Sequence, residues 1–399
     1  MSAVGGGPTQ LASGQTAAGA QSAYLICQAL MGGPGSLGAN TYYGPTTNQS
    51  SLIAGGGLGF LEQIGNPKLT SETADTWTAG FTFNNLGQSP WISGFSGSVD
   101  WWQINIKNAI EQYSLDYANY LCIGATQVTT AAQAAAVAAS PICQNVPRNL
   151  GTGGAQTETE QYSNLASIAE AGFDFAINWV AQFSDLGLPL PGGVTFNTQD
   201  TLLQYYRTKA SPQAFDVTTN WKDSFGPNLA GTNPGAFGYR LTANIGYVLP
   251  AFSVNLQWLF YPSINQVAHA QTQAIIENNA QVAKTGKGVM LNYTPDTTIA
   301  APAWYQFNLT GTWNVNSWLQ LRGGIDNLLN KDPPITTAST GYTSAAQVAA
   351  ACSAAAAAQG CVAPLSYSLP VDGRGNGFNF LGFYDEYGRT FFLGFKASF

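Results

Sequence analysis

Charge is what this 399-residue sequence has least of: Asp, Glu, Lys and Arg together make up 9%, against roughly 25% in an ordinary soluble domain. So few ionic side chains suffice only if much of the outer surface does not face water. The small balance is acidic, net −7, which excludes the basic stripe that nucleic acid would demand. Histidine occurs once, as His269 in the polar stretch "NQVAHAQTQ", which reads as a solvated loop rather than as the base of a Ser-His-Asp triad. Without a CxxC spacing, a cysteine–histidine metal site is disfavoured as well. Apolar runs such as "AYLICQALM" and "AAQAAAVAAS" stop at about ten residues, short of the ~20 that a membrane-crossing helix needs. The first basic residue is Lys68, so no positive n-region introduces a signal peptide; either the chain is not exported or its beginning has been lost.

What the sequence does have is alternation. Trp77, Ala79, Phe81 and Phe83 alternate with Thr78 and Thr82; Phe173, Phe175, Ile177 and Trp179 with Asp174 and Asn178. The same dyad runs through Tyr239–Tyr247, Phe252–Phe260, Tyr305–Trp313, Leu319–Ile325 and Phe391–Phe399. This is strand periodicity, because successive side chains of a strand point to opposite faces. Two further strands are less regular. "GSVDWWQINIKNAI" changes phase at Trp101 and Trp102, where a β-bulge is expected, and "GGVTFNTQDTLLQYYR" has mixed phase. Connections 85–94, 184–192, 249–251 and 314–317 are short, whereas 111–165, 208–236, 266–301 and 329–388 are long. Short and long alternate, as in transmembrane β-barrels. Strand-end aromatics such as Trp77, Trp179, Tyr247, Trp313 and Trp318 fit interfacial girdles, and Arg240, Arg322, Arg389 and Lys396 keep in or near the polar register. A soluble sandwich would carry Lys and Glu on its outer face in place of Ser, Thr and Asn. The pattern predicts an all-β fold: a portion of an antiparallel transmembrane β-barrel, about nine strands with long extracellular loops.

Other motifs carry little chemistry. A GxGxxG match at Gly33, Gly35 and Gly38 is expected to have neither a strand before it nor a helix after it, so it is no dinucleotide site. Asp385 and Glu386 are adjacent and belong to a turn. "AAQAAAVAAS" and "AACSAAAAAQG" predict short helices within loops. No cofactor, metal or enzymatic activity is expected.

Three stretches carry a family resemblance: "GNPKLTSETADTW" (Gly65–Trp77) followed by "GFTF", "GGIDNLLNKDPP" (Gly323–Pro334) and the closing "YDEYGRTFFLGFKASF". From about Leu61 to Phe399 the chain resembles the C-terminal half of the barrel of TonB-dependent outer-membrane receptors of Gram-negative bacteria. It departs at Ser71, where the family usually carries Pro. The resemblance implies a 22-stranded barrel with a plug, of which this chain supplies less than half the strands, as a fragment would. Residues 1–75 would be an extracellular loop region with Gly/Pro-rich segments, and 76–399 the C-terminal barrel portion. It implies uptake of a scarce nutrient, a siderophore, cobalamin or carbohydrate, energised by the TonB–ExbB–ExbD complex through the missing plug. Further partners would be outer-membrane lipid and the barrel-assembly machinery, for which Phe399 resembles the terminal signal. Ligand contacts would come from loop aromatics Tyr113, Tyr117 and Tyr120 and from lumen-facing Arg240, Gln257, Gln306 and Arg322. Weakly charged, aromatic loops lean toward sugars or aromatic compounds over anionic siderophores. The alternative is a passive porin-like or structural barrel without a plug.

All five cysteines fall in the outer loops, where an exported compartment favours disulfides. Neighbouring pairs are Cys122 with Cys143 and Cys352 with Cys361, leaving Cys27 over, as though its partner lay upstream. Thiol labelling of the oxidised protein should therefore find one free cysteine, and labelling of more than one would dissolve the two-pair assignment.

Overall fold

The computed structural model describes residues 17–43, 61–112, 119–124, 126–156, 158–213, 216–226, 235–336, 338–364, 370, 384–385 and 387–398. Nine strands follow one another as neighbours in a single sheet: β2 (Thr73–Asn84), β3 (Phe95–Gln112), β4 (Glu158–Gln182), β5 (Gly193–Lys209), β7 (Tyr239–Val248), β8 (Phe252–Tyr261), β9 (Trp304–Asn314), β10 (Leu319–Asp326) and β11 (Thr390–Ala397). Two short pieces lie off this path: β1 (Leu61–Ile64), parallel to β4, and β6 (Thr219–Asn220), beside β5. Every pair along the path is antiparallel. The sheet does not close; β2 and β11 each have one strand neighbour among the described residues.

Register turns the alternation of single strands into two continuous surfaces. Phe95, Trp179, Phe196, Ile245, Leu256, Leu309, Ile325 and Phe391 are consecutive cross-strand partners. They form one apolar row across eight strands. One residue away, Ser96, Asn178, Asn197, Asn244, Gln257 and Asn308 form a polar row on the opposite face. The apolar face lies open: Ile245 is 53% exposed, Phe391 71% and Leu393 85%. In water such a face would be an aggregation surface, and in lipid it is the correct exterior.

The phase change at Trp101 and Trp102 has a cause other than the bulge expected there. These residues pair in unbroken register with Phe173 and Gly172, and the shift comes further on, between Ile106 and Ala109, where Asn108 takes φ 54°. β3, β4 and β5 have 18, 25 and 17 residues, whereas about 9–11 cross a bilayer. Their surplus projects on the side of the long connections, and there the polarity of the faces exchanges. Gln103, Asn105 and Lys107 continue the face of Trp101, while Trp102, Ile104 and Ile106 turn apolar side chains to the other. Trp102 packs toward buried Leu203, Trp221 and Ala270, across Gly172, where a Cβ would come within 2.7 Å of its ring. The mixed phase of β5 does come from a bulge: Ala171 and Gly172 face Tyr205 and Leu203, leaving Gln204 extra, and its Oε1 accepts a hydrogen bond from Trp101 Nε1 at 3.2 Å.

The long connections fold over this rim. Helix α1 (Ala17–Leu30) packs on α3 (Ala131–Ala138) around Ile26, Val128, Ala134 and Val146. Helix α2 (Leu37–Tyr43) follows the GxGxxG turn, contrary to expectation; what precedes the turn is α1 and not a strand, so its glycines serve packing. Gly38 has no room for a Cβ, which would lie 2.7 Å from the Leu150 carbonyl. Helix α4 (Val267–Thr285) ends at Gly286 in the left-handed region, φ 67°, a conformation glycine adopts without a Cβ penalty. His269 stands in α4, not in a solvated loop, and its Nδ1 lies 3.2 Å from Oδ2 of Asp296. Asn279 of α4 is fully buried. Its Nδ2 donates to the carbonyls of Leu291 (2.7 Å) and Gln359 (2.6 Å), and its Oδ1 accepts from the Leu291 N–H at 2.9 Å. One side chain thus joins the β8–β9 and β10–β11 connections.

Face assignment makes a sharp expectation for neighbouring residues. Ile245→Lys places a charge on the lipid face and should cost about 2–4 kcal/mol if near the midplane. Asn244→Lys, one residue away on the polar face, should cost only the side-chain hydrogen bonds with Asn197 and Asn255 that it gives up, about 1 kcal/mol. Urea titrations of chains folded into phospholipid bilayers check this, and equal costs would contradict the register.

Candidate functional site

The middle of the polar face is a row of uncharged amides. Asn255 Nδ2 donates to Asn244 Oδ1 at 3.3 Å, and Asn244 Nδ2 donates on to Asn197 Oδ1 at 3.0 Å. Gln306 Nε2 donates to Asn308 Oδ1 at 2.8 Å, and Asn308 Nδ2 to Gln257 Oε1 at 3.0 Å. Asn255, Asn244, Gln306 and Asn308 each use one donor in these chains, while Asn197 and Gln257 only accept; all have more to offer, since a primary amide carries two N–H groups and an acceptor oxygen. Gln306 is 4% exposed and its Oε1 has no hydrogen-bond partner.

The "GGIDNLLNKDPP" segment fixes the outer end of this network. Asn327, fully buried with φ 52°, donates its backbone N–H to Asn308 Oδ1 at 2.9 Å. Its side chain closes a loop on Lys331, Nδ2 donating to the carbonyl at 2.9 Å and Oδ1 accepting from the N–H at 2.7 Å. Asparagine is among the few residues that enter the left-handed region readily, so the motif reads as a turn that holds Asn308 in place. Above it stands an aromatic group: Tyr261 stacks on Trp304 with ring centroids 5.5 Å apart, Phe237 lies 5.4 Å from Tyr261, and Tyr384 meets Trp304 edge-on at 5.6 Å. Trp304 Nε1 donates to the Asp332 carbonyl at 3.1 Å, whereas the buried Tyr384 hydroxyl has no partner. Burial pushes the Tyr384 phenol up to about 12, so it stays a neutral donor.

Of the residues expected to line a ligand path, Gln257 and Gln306 come together through Asn308. Arg240 and Arg322 do not. Arg240 is level with Thr201 and Arg322 with Thr312 and Gly394; along β9 this is a separation of about 26 Å at ~3.3 Å per residue. Tyr113, Tyr117 and Phe399 lie outside the described residues, as do Glu386 and the side chain of Tyr120. Cys122 is bonded to Cys143 and Cys352 to Cys361, with Cα separations of 4.8 and 5.7 Å, and Cys27 is free. Residues not singled out beforehand also face this surface. Asp100 and Asp174 are direct cross-strand partners, and Thr201 Oγ1 donates to Asp174 Oδ1 at 2.7 Å. Their strand parity was readable; that they stand opposite one another depends on register. No group of three or more His, Cys, Asp or Glu able to hold a metal occurs among the described residues.

Comparison with known proteins adds the family. Similar solved structures include a mutant ferric enterobactin receptor from Pseudomonas aeruginosa (14% identity, TM-score 0.42, covering 84% of this chain and 32% of that one). Others are the siderophore receptor PirA from Acinetobacter baumannii (13%, 0.36, 67% and 29%) and the FrpB iron transporter from Neisseria meningitidis (13%, 0.34, 68% and 28%). This chain spans about a third of the length of those receptors, and no curated protein matches it. The family model for the TonB dependent receptor-like β-barrel matches residues 33–328. With the antiparallel sheet, the two-faced register and the match over most of its length, the chain belongs to the TonB-dependent receptor β-barrel family, whose members reside in the Gram-negative outer membrane.

Proposed function

We propose that the chain is the C-terminal barrel part of an outer-membrane receptor that takes up a neutral, hydroxyl-rich nutrient, a carbohydrate in preference to an anionic ferric siderophore or cobalamin. Energy would come from the TonB–ExbB–ExbD complex acting on a plug carried by the rest of the receptor. The observation that carries the reading is the uncharged amide row Asn178, Asn197, Asn244, Gln257 and Asn308, beneath the Tyr261–Trp304–Tyr384 aromatic group. Amides offer donors and acceptors together, which matches hydroxyl groups that are themselves both. The aromatic group is buried and serves as the packed roof over these amides, and an uncharged amide row does not reward a net negative charge. An anionic chelate would instead call for Arg and Lys gathered along the amide row, whereas Arg322 and Lys396 are neighbours at one end of the face and Arg240 stands at the other.

The test is a binding panel of neutral oligosaccharides, ferric siderophores and cobalamin on a complete receptor carrying this chain. An oligosaccharide should bind best. Asn308→Ala and Gln257→Ala should each weaken it about tenfold, the equivalent of roughly 1.4 kcal/mol for lost hydrogen bonds, and Arg322→Ala should change affinity little. Preference for the ferric chelates, or a tenfold loss with Arg322→Ala alone, would replace the neutral ligand with an anionic one. Steady open single-channel conductance of the complete protein would favour the passive barrel.

A further inference from the structure

We propose that the outer loops carry a second binding site, for a small organic carboxylate with an apolar body, in the cavity between α1 and α3 with Arg148 as its anchor. The cavity has a volume of about 540 Å³, within the range of small-molecule pockets. Ala29, Leu30, Ala135 and Ala138 line it on the apolar side, and Gln144 and Arg148 on the polar side. The space exists because alanine side chains end at Cβ. It is held open from behind: Thr130 and Gln133 close a reciprocal capping box at the start of α3, and the buried Cys122–Cys143 disulfide ties the segment after α3 back to the chain before it.

Arg148 gives the cavity its chemistry. Its Nε is buried and has no hydrogen-bond partner, and its Nη2 makes one long bond to Asn119 Oδ1 at 3.4 Å. Among the described residues no carboxylate pairs with it. Nor does the nearby Cys27 supply a counter-charge, because burial pushes that thiol up, against the opposing pull of Arg148, and it stays protonated. A guanidinium presents Nε–H and an Nη–H side by side, the geometry that a carboxylate takes in two parallel bonds. A carboxylate draws that edge toward the cavity by a turn of the Arg148 side chain, satisfying the orphaned Nε, and its apolar body covers the alanines. The inference does not rest on the uptake reading, since it concerns α1 and the β3–β4 connection and its test reads binding alone.

The full 399-residue chain, folded in detergent with the Cys122–Cys143 bond verified by mass, is titrated calorimetrically with 2-naphthoate. Saturable binding is expected, with at least a tenfold loss in Arg148→Gln. Ala135→Trp should also abolish it; Ala135 is exposed, so the indole fills the cavity without disturbing the core and serves where the arginine variant misfolds. The site is refuted by the absence of saturable binding to the native chain, by unchanged affinity in the correctly folded variants, or by equal binding of neutral 2-naphthamide. Displacement by equimolar inorganic phosphate would refute the carboxylate assignment.

Discussion

Everything in this molecule depends on strand register. A β-strand exchanges its faces with every residue, so a slip of one position would send Ile245 and its row to the polar side and Asn244 and its row into lipid. The backbone cannot report such an error, because its hydrogen bonds are satisfied in either register. The side chains can: a row of eight large apolar residues on one face and amides on the other penalises the slip at every strand at once. The amide chain adds a direct lock, since Asn308 reaches Gln257 and Asn244 reaches Asn197 across strand boundaries. The same groups that give the polar face its chemistry therefore help to fix the fold.

That coupling explains what was legible in the sequence. Seven of the nine strands of the path announced themselves by clean alternation, β3 and β5 by a broken one, and the connections by their lengths, because these are local properties. Trp101 and Trp102 show where local reading fails. A change of phase has two physical causes, an inserted residue or a change in what surrounds the strand, and along one strand they look alike. Only the pairing with Phe173 and Gly172 separates them. The amides of the polar row were visible singly as polar partners of the apolar dyad, but their alignment is a product of the four turns and connections between β4 and β9. His269 misled for a different reason: "NQVAHAQTQ" is polar, and polarity alone does not distinguish a loop from the exposed start of a helix.

The rim obeys another rule. Below it the sheet meets lipid and is apolar outside; above it the extensions of β3, β4 and β5 are apolar within, so ordinary hydrophobic burial resumes. There Trp221, Phe225, Phe237 and Trp304 gather segments of several connections into small cores. One disulfide is buried in the α1–α3 unit, closing a loop of 21 residues in sequence separation, the kind of cross-link that removes about 3 kcal/mol of chain entropy from the unfolded state. The described parts of the long connections are thus folded units with their own interiors.

Asn279 carries this furthest. Because its amide holds Leu291 on one side and Gln359 on the other, from within a helix of 19 residues, the β8–β9 and β10–β11 connections cannot open independently without leaving a buried amide unpaired. The segments around Leu291 and Gln359 thus share one opening event, in which their backbone amides reach solvent together. For a receptor mouth this shifts the entropy of ordering from the moment of capture to the moment of folding, so whatever arrives meets a surface that is already set.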